Sequence, residues 1–353
     1  MATLGVRAPG YRELRPMRKS EEVTSATFPV YRDLAERLLA AGPGADERVA
    51  HVLGTCAGYA YSDAETVAMI MARMGLEENR CLPIAMSVDA MFIRSTAFVV
   101  QSRCGRVVLV CYRGTEPARF INWLTDADVN PERVSFPFPG ESAPLSVHAG
   151  FYRNVRATRY RVAGAVAEAL AGRSVLGDGE ATGRLEALYF TGHSLGAAMA
   201  ALLAVMVETE PAYQPIRERL RAVYTFGQPM IGDPALARAC AAHPFLGRSV
   251  FRYVYAHDVV PALPPTASGP FAHFGREFQY RPGKGGGGTW NENATPVGQV
   301  SNLLDLPVAA LAFMAQQIRW LRRIPFPHSL DDHEPQHYIA ALTPPGVRSE
   351  FGD

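Results

Sequence analysis

The chain has 353 residues, and its 35 Lys and Arg residues almost balance its 34 Asp and Glu residues, which leaves a formal net charge of +1. This balance argues against nucleic acid as the main partner, because such binding depends on a strongly cationic surface. Hydrophobic residues make up 48% and charged residues 20% of the sequence. That composition excludes a wholly disordered chain, and the length allows a large core.

The cysteines and the first residues bear on the cellular compartment. The five cysteines are irregularly spaced and form no C-x-x-C motif, so we expect free, buried thiols rather than a disulfide framework or a thiolate zinc site. Residues 1–20 mix Arg, Lys, Glu and Pro without an apolar core and do not resemble a Sec signal peptide. We therefore expect a cytoplasmic protein, with peripheral membrane attachment and non-Sec export left open.

Three parts are expected along the chain. Residues 1–45 are expected to form a partly helical leader, with a helix at residues 31–41 that ends at Gly42-Pro43-Gly44. Residues 46–345 are expected to form one domain, and residues 346–353 a tail.

Helical and strand patterns alternate through the domain. Residues 97–101 and 107–112 are β-branched runs on either side of Cys104-Gly105-Arg106, which predicts a hairpin. Helices are predicted at residues 63–76, 155–171 and 195–207, and strands at residues 187–191, 222–226 and 250–255. This alternation predicts an α/β fold with a mainly parallel central sheet and helices on both faces.

Gly192-His193-Ser194-Leu195-Gly196 fits the pattern G-x-S-x-G. A predicted strand enters it and a helix rich in small residues leaves it, which is the context of a nucleophile elbow. The two glycines allow a sharp turn, and the start of the helix favours negative charge at Ser194. Ser194 is therefore predicted to be a nucleophile, with a serine that caps an ordinary turn as the alternative. His193 is expected to point away from the substrate.

A serine nucleophile needs a base, usually a histidine oriented by a carboxylate, in the chain order Ser, Asp, His. Asp258 follows the predicted strand at residues 250–255, at the edge of the sheet where sites assemble in open α/β folds. Position alone leaves two interpretations of Asp258 open. It could orient the base, or it could form a turn before the prolines that follow.

Three histidines late in the chain, His328, His333 and His337, are candidate bases. His333 is favoured because Asp331-Asp332-His333 is predicted to be a loop just before a last helix at residues 335–342, where a base could reach Ser194. Two other histidines, His148 and His273, are expected to be hydrogen-bonded groups of the core.

The segment from His333 to His337 also fits H-E-x-x-H, a zinc protease pattern. That chemistry needs both histidines on one face inside a helix, and Pro335 would break such a helix unless it lies in the first turn. We therefore expect no metal and no other cofactor, and keep a zinc peptidase as an alternative.

Together with Ser194, Asp258 and His333, several further stretches resemble the class 3 lipase family, the family of the fungal triacylglycerol lipases. They are residues 110–115, 122–126, 147–151, 224–229, 232–233 and 258–265, and Asp332-His333 with Tyr338. The resemblance spans roughly residues 50–342 and implies an α/β-hydrolase fold with Asp258 as acid and His333 as base. It also implies that Thr115 is an oxyanion donor. The Leu195 N–H, which follows the nucleophile at the helix start, is predicted to be the other.

The resemblance also implies a lid and leaves one insertion. Residues 118–124 could form a short amphipathic helix, and the alternative is a surface loop with permanently packed aromatics. The apolar residues that such a lid would expose are Phe120, Ile121, Trp123 and Leu124. Residues 282–323 have no counterpart and are expected to be an extra insertion, with a flexible loop at residues 281–288. Residues 303–314 are predicted to form a core helix, or else a helix on a lipid surface.

The predicted function is a lipase that cleaves tri- or diacylglycerol esters through an acyl-enzyme intermediate. Its expected partners are a lipid ester and, transiently, a lipid or membrane surface, which an open lid would bind by burying apolar area. An esterase for soluble short-chain esters and a catalytically silent binding scaffold remain as alternatives.

Overall fold

The computed structural model describes residues 5–14, 28–88, 93–115, 131–140, 144–283, 287–300 and 329–351. Several predictions fall outside these ranges. They concern the four lid residues Phe120, Ile121, Trp123 and Leu124, the helix at residues 303–314, and His328.

Strands of the described residues build one large sheet and one small one. They are β1 (Val6–Arg7), β2 (Arg80–Val88), β3 (Ile93–Gln101), β4 (Val107–Tyr112), β5 (Pro131–Val134), β6 (Leu145–His148), β7 (Ala187–His193), β8 (Leu220–Phe226), β9 (Val250–Tyr255), β10 (Arg276–Pro282) and β11 (Gly288–Asn293). The large sheet has the order β1-β2-β3-β4-β7-β8-β9-β10-β11, and β5 pairs with β6. The five strands from β4 to β10 run parallel, whereas β1 to β3 and β11 extend the two edges antiparallel. The predicted parallel centre and the predicted hairpin are therefore confirmed.

Helices of the described residues cover both faces of this sheet. They are α1 (Leu34–Ala40), α2 (Glu47–Tyr59), α3 (Ala64–Met74), α4 (Ala149–Leu170), α5 (Leu195–Thr209), α6 (Gln214–Arg217), α7 (Pro234–Ala242), α8 (Leu246–Ser249) and α9 (Pro335–Leu342). Alternate residues of β4 enter two different buried clusters, since side chains of a strand point to opposite faces. Val108 and Val110 pack with α4 and α5, whereas Val107 and Leu109 pack with α1, α2, α3 and α9.

Helix α5 lies at the centre of one of these layers, and all its residues are buried. Its many Ala residues let the helix approach the sheet closely. Because all its residues are buried, it presents no polar face to solvent. No single helix of the described residues is long and apolar enough to cross a membrane. The five cysteines are free, with Cys104 half-buried and the other four buried, as predicted.

Two elements before the hairpin escaped the sequence analysis. In α2, apolar residues recur at helical spacing and residues 49–57 are all buried, but Gly54 and Gly58 lower its helix propensity. Strand β2 carries Pro83, which is atypical of a strand between two neighbours. Among the described residues, β1 pairs only with Arg80 and Cys81, so Pro83 lies outside that pairing.

The predicted flexible loop at residues 281–288 is wrong at both ends. Strand β10 continues through Pro282 and β11 begins at Gly288, and the two form an antiparallel hairpin. The Gly283 N–H donates to the Gly287 carbonyl at 2.7 Å inside the turn. The start of the predicted insertion thus adds an edge strand to the sheet.

The described part of the predicted leader is attached to the domain. Val6 and Arg7 pair with β2, and Leu34 and Leu38 of α1 are buried in the core. The helix predicted at residues 31–41 is confirmed with a start three residues later. The domain boundaries stay a prediction.

A buried ion pair joins β9 to β10. The Arg252 Nη1 lies 3.0 Å from the Glu277 Oε2, and both side chains are almost fully excluded from solvent. The Arg252 Nε donates to the Phe274 carbonyl at 2.8 Å. Glu277 also accepts from the Asn293 side chain and the Val297 N–H, whereas the Arg252 Nη2 has no hydrogen-bond partner among the described residues.

Candidate active site

Ser194 occupies the sharp turn between β7 and α5. Its backbone has φ 59° and ψ −129°, a conformation that is strained for any residue but glycine. A Cβ at Gly192 would lie 2.4 Å from the carbonyl group of Gly196, and a Cβ at Gly196 would lie 2.2 Å from the backbone carbonyl oxygen of Tyr112. Both glycines are therefore required by the close approach of the chain. The Ser194 N–H donates to the Phe226 carbonyl at 2.9 Å, which anchors the turn to β8.

The Ser194 hydroxyl does not cap the helix that it precedes. No capping hydrogen bond is made by its side chain, and its Oγ is buried without a hydrogen-bond partner among the described residues. The alternative interpretation of Ser194 as a turn-capping serine is therefore wrong. The hydroxyl lies at the N-terminal end of α5, where free backbone N–H groups favour negative charge.

Asp258 and His333 are brought together from positions 75 residues apart. The His333 Nδ1 lies 2.8 Å from the Asp258 Oδ2, and both side chains are fully buried. Because a carboxylate only accepts, the Nδ1–H donates and the Nε2 keeps its lone pair. Asp258 also forms a turn, since its Oδ1 accepts from the Val260 N–H at 2.9 Å. The two interpretations that the sequence left open for Asp258 are both realised.

Tyr338, on α9, is a further donor to the same carboxylate. Its hydroxyl donates to the Asp258 Oδ2 at 2.5 Å and accepts from the Tyr255 N–H at 3.1 Å. Burial, and after it the charge of Asp258, raises the pKa of Tyr338 well above its ordinary value. The phenol therefore keeps its proton, and three donors offset the cost of burying the Asp258 charge.

The segments that carry Asp258 and His333 are joined by their backbones. The Ser329 N–H donates to the His257 carbonyl at 2.8 Å, and the Val259 N–H donates to the Ser329 carbonyl at 3.2 Å. The Asp332 carboxylate accepts from the His257 N–H at 2.9 Å. Burial raises the pKa of Asp332, and this N–H opposes the shift. His333 thus reaches Asp258 from a segment that is itself fixed.

The imidazole of His333 lies beside the elbow. Its ring centroid is 4.5 Å from that of His193. A Cβ at Gly227 would lie 2.8 Å from the His333 Nδ1, and Gly227 follows the residue whose carbonyl holds Ser194. The His333 Nε2, like the Ser194 Oγ, is buried and has no hydrogen-bond partner among the described residues.

Thr115 and Leu195 follow two neighbouring strands, at the carboxyl ends of both. Strands β4 and β7 are parallel, and Tyr112 is opposite Gly192, so Thr115 follows β4 where Leu195 begins α5. Thr115 is half-buried. The Leu195 N–H belongs to the first turn of a helix, whose N–H groups have no partner within the helix. The two residues thus lie at the carboxyl ends of neighbouring parallel strands, and their roles as oxyanion donors stay a prediction.

His193 and Tyr61 belong to this site although the sequence analysis did not place them there. The Tyr61 hydroxyl lies 2.8 Å from the His193 Nδ1, and the His193 ring contacts that of His333 rather than lying away from the site. Burial lowers the pKa of His193 well below its ordinary value, so this imidazole is neutral. Tyr61 follows α2 outside any motif, and no sequence pattern indicates it.

The structure separates the two histidines of the H-E-x-x-H pattern. Helix α9 begins at Pro335, so His333 lies before the helix and His337 within it. His337 stacks on Tyr255 and lies 3.7 Å from Asp331. This is not the helical pair that the zinc motif requires. Of the two expected core histidines, His273 bonds the Pro261 carbonyl at 2.7 Å, and His148 is buried against Phe151.

A protein-family comparison matches the central part of this chain. Residues 109–268, which include Thr115, the elbow and Asp258, match the family model described as lipase (class 3). The predicted resemblance is confirmed. The matched segment begins within β4, runs through β9 and includes the turn that carries Asp258, but it ends before His333.

Two curated relatives match a longer stretch than this segment. A triacylglycerol lipase of Ricinus communis is 28% identical over 226 residues, which cover 54% of this chain and 41% of that protein. A lipase of Rhizomucor miehei is 28% identical over 200 residues, which cover 56% of this chain and 48% of that protein. The chain thus spans less than half the length of these curated relatives.

Solved structures of fungal lipases share the fold. The native lipase–propeptide complex of Rhizomucor miehei superposes with a TM-score of 0.52 at 21% identity, over 81% of this chain and 78% of that one. Lipase II of Rhizopus niveus gives a TM-score of 0.51 at 22% identity, over 71% and 85%. The α/β-hydrolase fold predicted from the motifs is therefore confirmed.

Proposed function

We propose that this protein is a serine hydrolase that cleaves carboxylic esters of lipids, an acylglycerol lipase of the triacylglycerol or diacylglycerol type. The observation that carries the proposal is the buried His333–Asp258 pair beside the strained elbow of Ser194. Its imidazole has a free Nε2 and contacts the ring of His193, the residue before Ser194, whose hydroxyl is equally without a partner among the described residues.

The reaction follows from these positions. The Ser194 Oγ attacks the ester carbonyl carbon while the His333 Nε2 takes its proton, and Asp258 stabilises the imidazolium that forms. The charged carbonyl oxygen of the tetrahedral intermediate accepts from the N–H groups of Leu195 and Thr115. The intermediate then collapses to an acyl-enzyme, and the leaving alcohol takes the proton from His333. Water enters, gives a proton to His333 and releases the acid, and the proton returns to Ser194.

Two observations support a lipid as substrate. The two relatives above carry the names triacylglycerol lipase and lipase. Ser194 and His333 are both completely buried, so an ester needs an opening, which the predicted lid at residues 118–124 would supply at a lipid surface. In this proposal the contact with the surface is transient and buries the apolar lid residues.

An active-site label tests the proposal directly. We expect a fluorophosphonate probe to modify the wild type and the control variant Ser268→Ala, and to leave Ser194→Ala unmodified. Both reactive proteins should hydrolyse emulsified triacylglycerol, and faster than a dissolved p-nitrophenyl butyrate. A folded wild type without label or hydrolysis would favour the silent scaffold, whereas labelling without a gain at the emulsion surface would favour the soluble-ester esterase.

A further inference from the structure

The Tyr61 hydroxyl lies between the elbow and the turn that carries Thr115. It is 2.8 Å from the His193 Nδ1, and its ring meets that of His193 edge to face. A Cβ added at Gly114 would lie 2.2 Å from the phenol oxygen and 2.6 Å from the His193 carbonyl oxygen. The phenol oxygen therefore lies against Gly114, the residue just before Thr115, and any larger residue at position 114 would clash with it.

The protonation of His193 decides which way the Tyr61 hydroxyl points. The buried, neutral imidazole carries one N–H, and its Nε2 has no hydrogen-bond partner among the described residues. A proton on Nε2 would leave a buried donor unpaired, which folded proteins avoid more strictly than an unpaired acceptor. The proton therefore belongs on Nδ1, which donates to Tyr61, and the phenol's own O–H remains available to another acceptor.

The Tyr61 phenol keeps its proton at neutral pH. Burial is the main cause that raises its pKa well above the ordinary value, and the nearby charge of Glu334 adds to the shift. The charge of Arg113 acts in the opposite direction. Because the phenol contacts His193, the residue before Ser194, and lies against Gly114, the residue before Thr115, its O–H is available between the nucleophile turn and the oxyanion turn.

We propose that Tyr61, oriented by His193, is a third donor to the oxyanion of the tetrahedral intermediate, beside the N–H groups of Thr115 and Leu195. In the intermediate the charged oxygen would be a strong acceptor for its O–H. This inference rests on the proposed hydrolase function, because it needs Ser194 to be the nucleophile.

Tyr61→Phe tests the inference, since it removes only the hydroxyl. We expect kcat for a dissolved ester to fall by about 10- to 100-fold with KM nearly unchanged, somewhat less than the loss of a principal oxyanion donor. The rate of fluorophosphonate labelling and the affinity of a boronic acid, which forms a tetrahedral anion on serine, should fall by a similar factor. The fraction labelled at completion should equal that of the wild type. Tyr59→Phe is the matched control, because the Tyr59 hydroxyl donates to Glu350 instead, and it should leave these rates unchanged.

A second variant keeps the test valid if Tyr61→Phe does not fold. Incorporation of 3-fluorotyrosine at position 61 retains the ring and the hydroxyl but lowers the pKa of the phenol. Because a more acidic phenol is a stronger donor to an anion, the affinity for the boronic acid should rise above that of the wild type. An unchanged or lower affinity would overturn the inference, as would a folded Tyr61→Phe variant labelled within twofold of the wild-type rate. A wild type without labelling would instead refute the proposed function itself.

Discussion

The two sides of the His333 ring differ in how completely they are bonded. On the Nδ1 side, Asp258 accepts hydrogen bonds from His333, Tyr338 and Val260. On the Nε2 side, neither this nitrogen nor the Ser194 Oγ has a hydrogen-bond partner among the described residues, although both are buried.

In the proposed mechanism the two sides of the ring have different tasks. One side orients the imidazole, and the other reacts with the substrate. The bonded side fixes the tautomer and the plane of the imidazole, and the unbonded side leaves the lone pair and the hydroxyl free for a substrate. Unpaired polar atoms cost stability in a core, and in the proposed mechanism these two are the atoms that react with the substrate. Variants that remove one side at a time can measure the contrast.

The largest effect is expected from His333→Ala, which removes both sides at once. Turnover of a dissolved ester should fall by about 10⁴-fold or more, because the nucleophile loses its base. His337→Ala is the matched control from the same segment, since its ring packs on Tyr255, and it should keep most of the activity. Steady-state rates of the purified variants measure both. Comparable losses in the two variants would contradict the assignment of His333 as the base.

A smaller effect is expected from Tyr338→Phe, which removes one donor from the bonded side. The Asp258 carboxylate would then accept fewer hydrogen bonds, and it would attract the proton of His333 more strongly. We expect kcat to fall by about 3- to 30-fold, and the acid limb of the pH–rate profile to move to higher pH. A profile of kcat/KM from pH 4 to 9 measures the shift. Unchanged kcat and profile would mean that Tyr338 has no part in orienting the acid.

The smallest effect concerns a buried carboxylate outside the site that lacks such donors. The Glu208 Oε1 has no hydrogen-bond partner among the described residues, and His243 lies 4.0 Å from its other oxygen. Burial raises the pKa of Glu208 to about 7, against a smaller opposing effect of Arg217. A raised pKa means that the folded state binds the proton more tightly, so stability is lost as the pH rises from about 4.5 to about 7.

Glu208→Gln should abolish this loss. Its free energy of unfolding should match that of the wild type near pH 5 and exceed it by about 1–2 kcal/mol at pH 8, after allowance for partial solvation. Urea unfolding at the two pH values measures the difference, with the exposed Glu218→Gln as control. An equal gain at both pH values would show that the ionisation of Glu208 is not its cause.

Much of the centre of the molecule could be predicted from the sequence, because its signals are local. The strand–turn–helix around Ser194 depends on two glycines and on adjacent apolar runs, all within about 20 residues. The order Ser194, Asp258, His333 and the loop position of His333 led to the pair that the structure joins. Their catalytic roles stay a proposal.

The remaining features depend on contacts between distant parts of the chain. Tyr61 reaches the elbow only because α2 packs beneath the sheet, and its spacing from Ser194 carries no pattern. Helix α2 carries two glycines that lower its helix propensity, and β11 follows a glycine-rich turn that is typical of a loop. Each was missed because tertiary packing, rather than local sequence, determines it.

The ion pair between Arg252 and Glu277 constrains how this sequence can diverge. Loss of either partner alone would leave an unpaired charge in the core, which typically lowers the free energy of unfolding by about 3–5 kcal/mol. Replacement of both partners by apolar residues often leaves stability unchanged or raises it. A variant with a single substitution at either position is therefore less stable than a chain with the ion pair or a chain with two apolar residues. Among descendants of this chain, positions 252 and 277 should be either both retained or both exchanged.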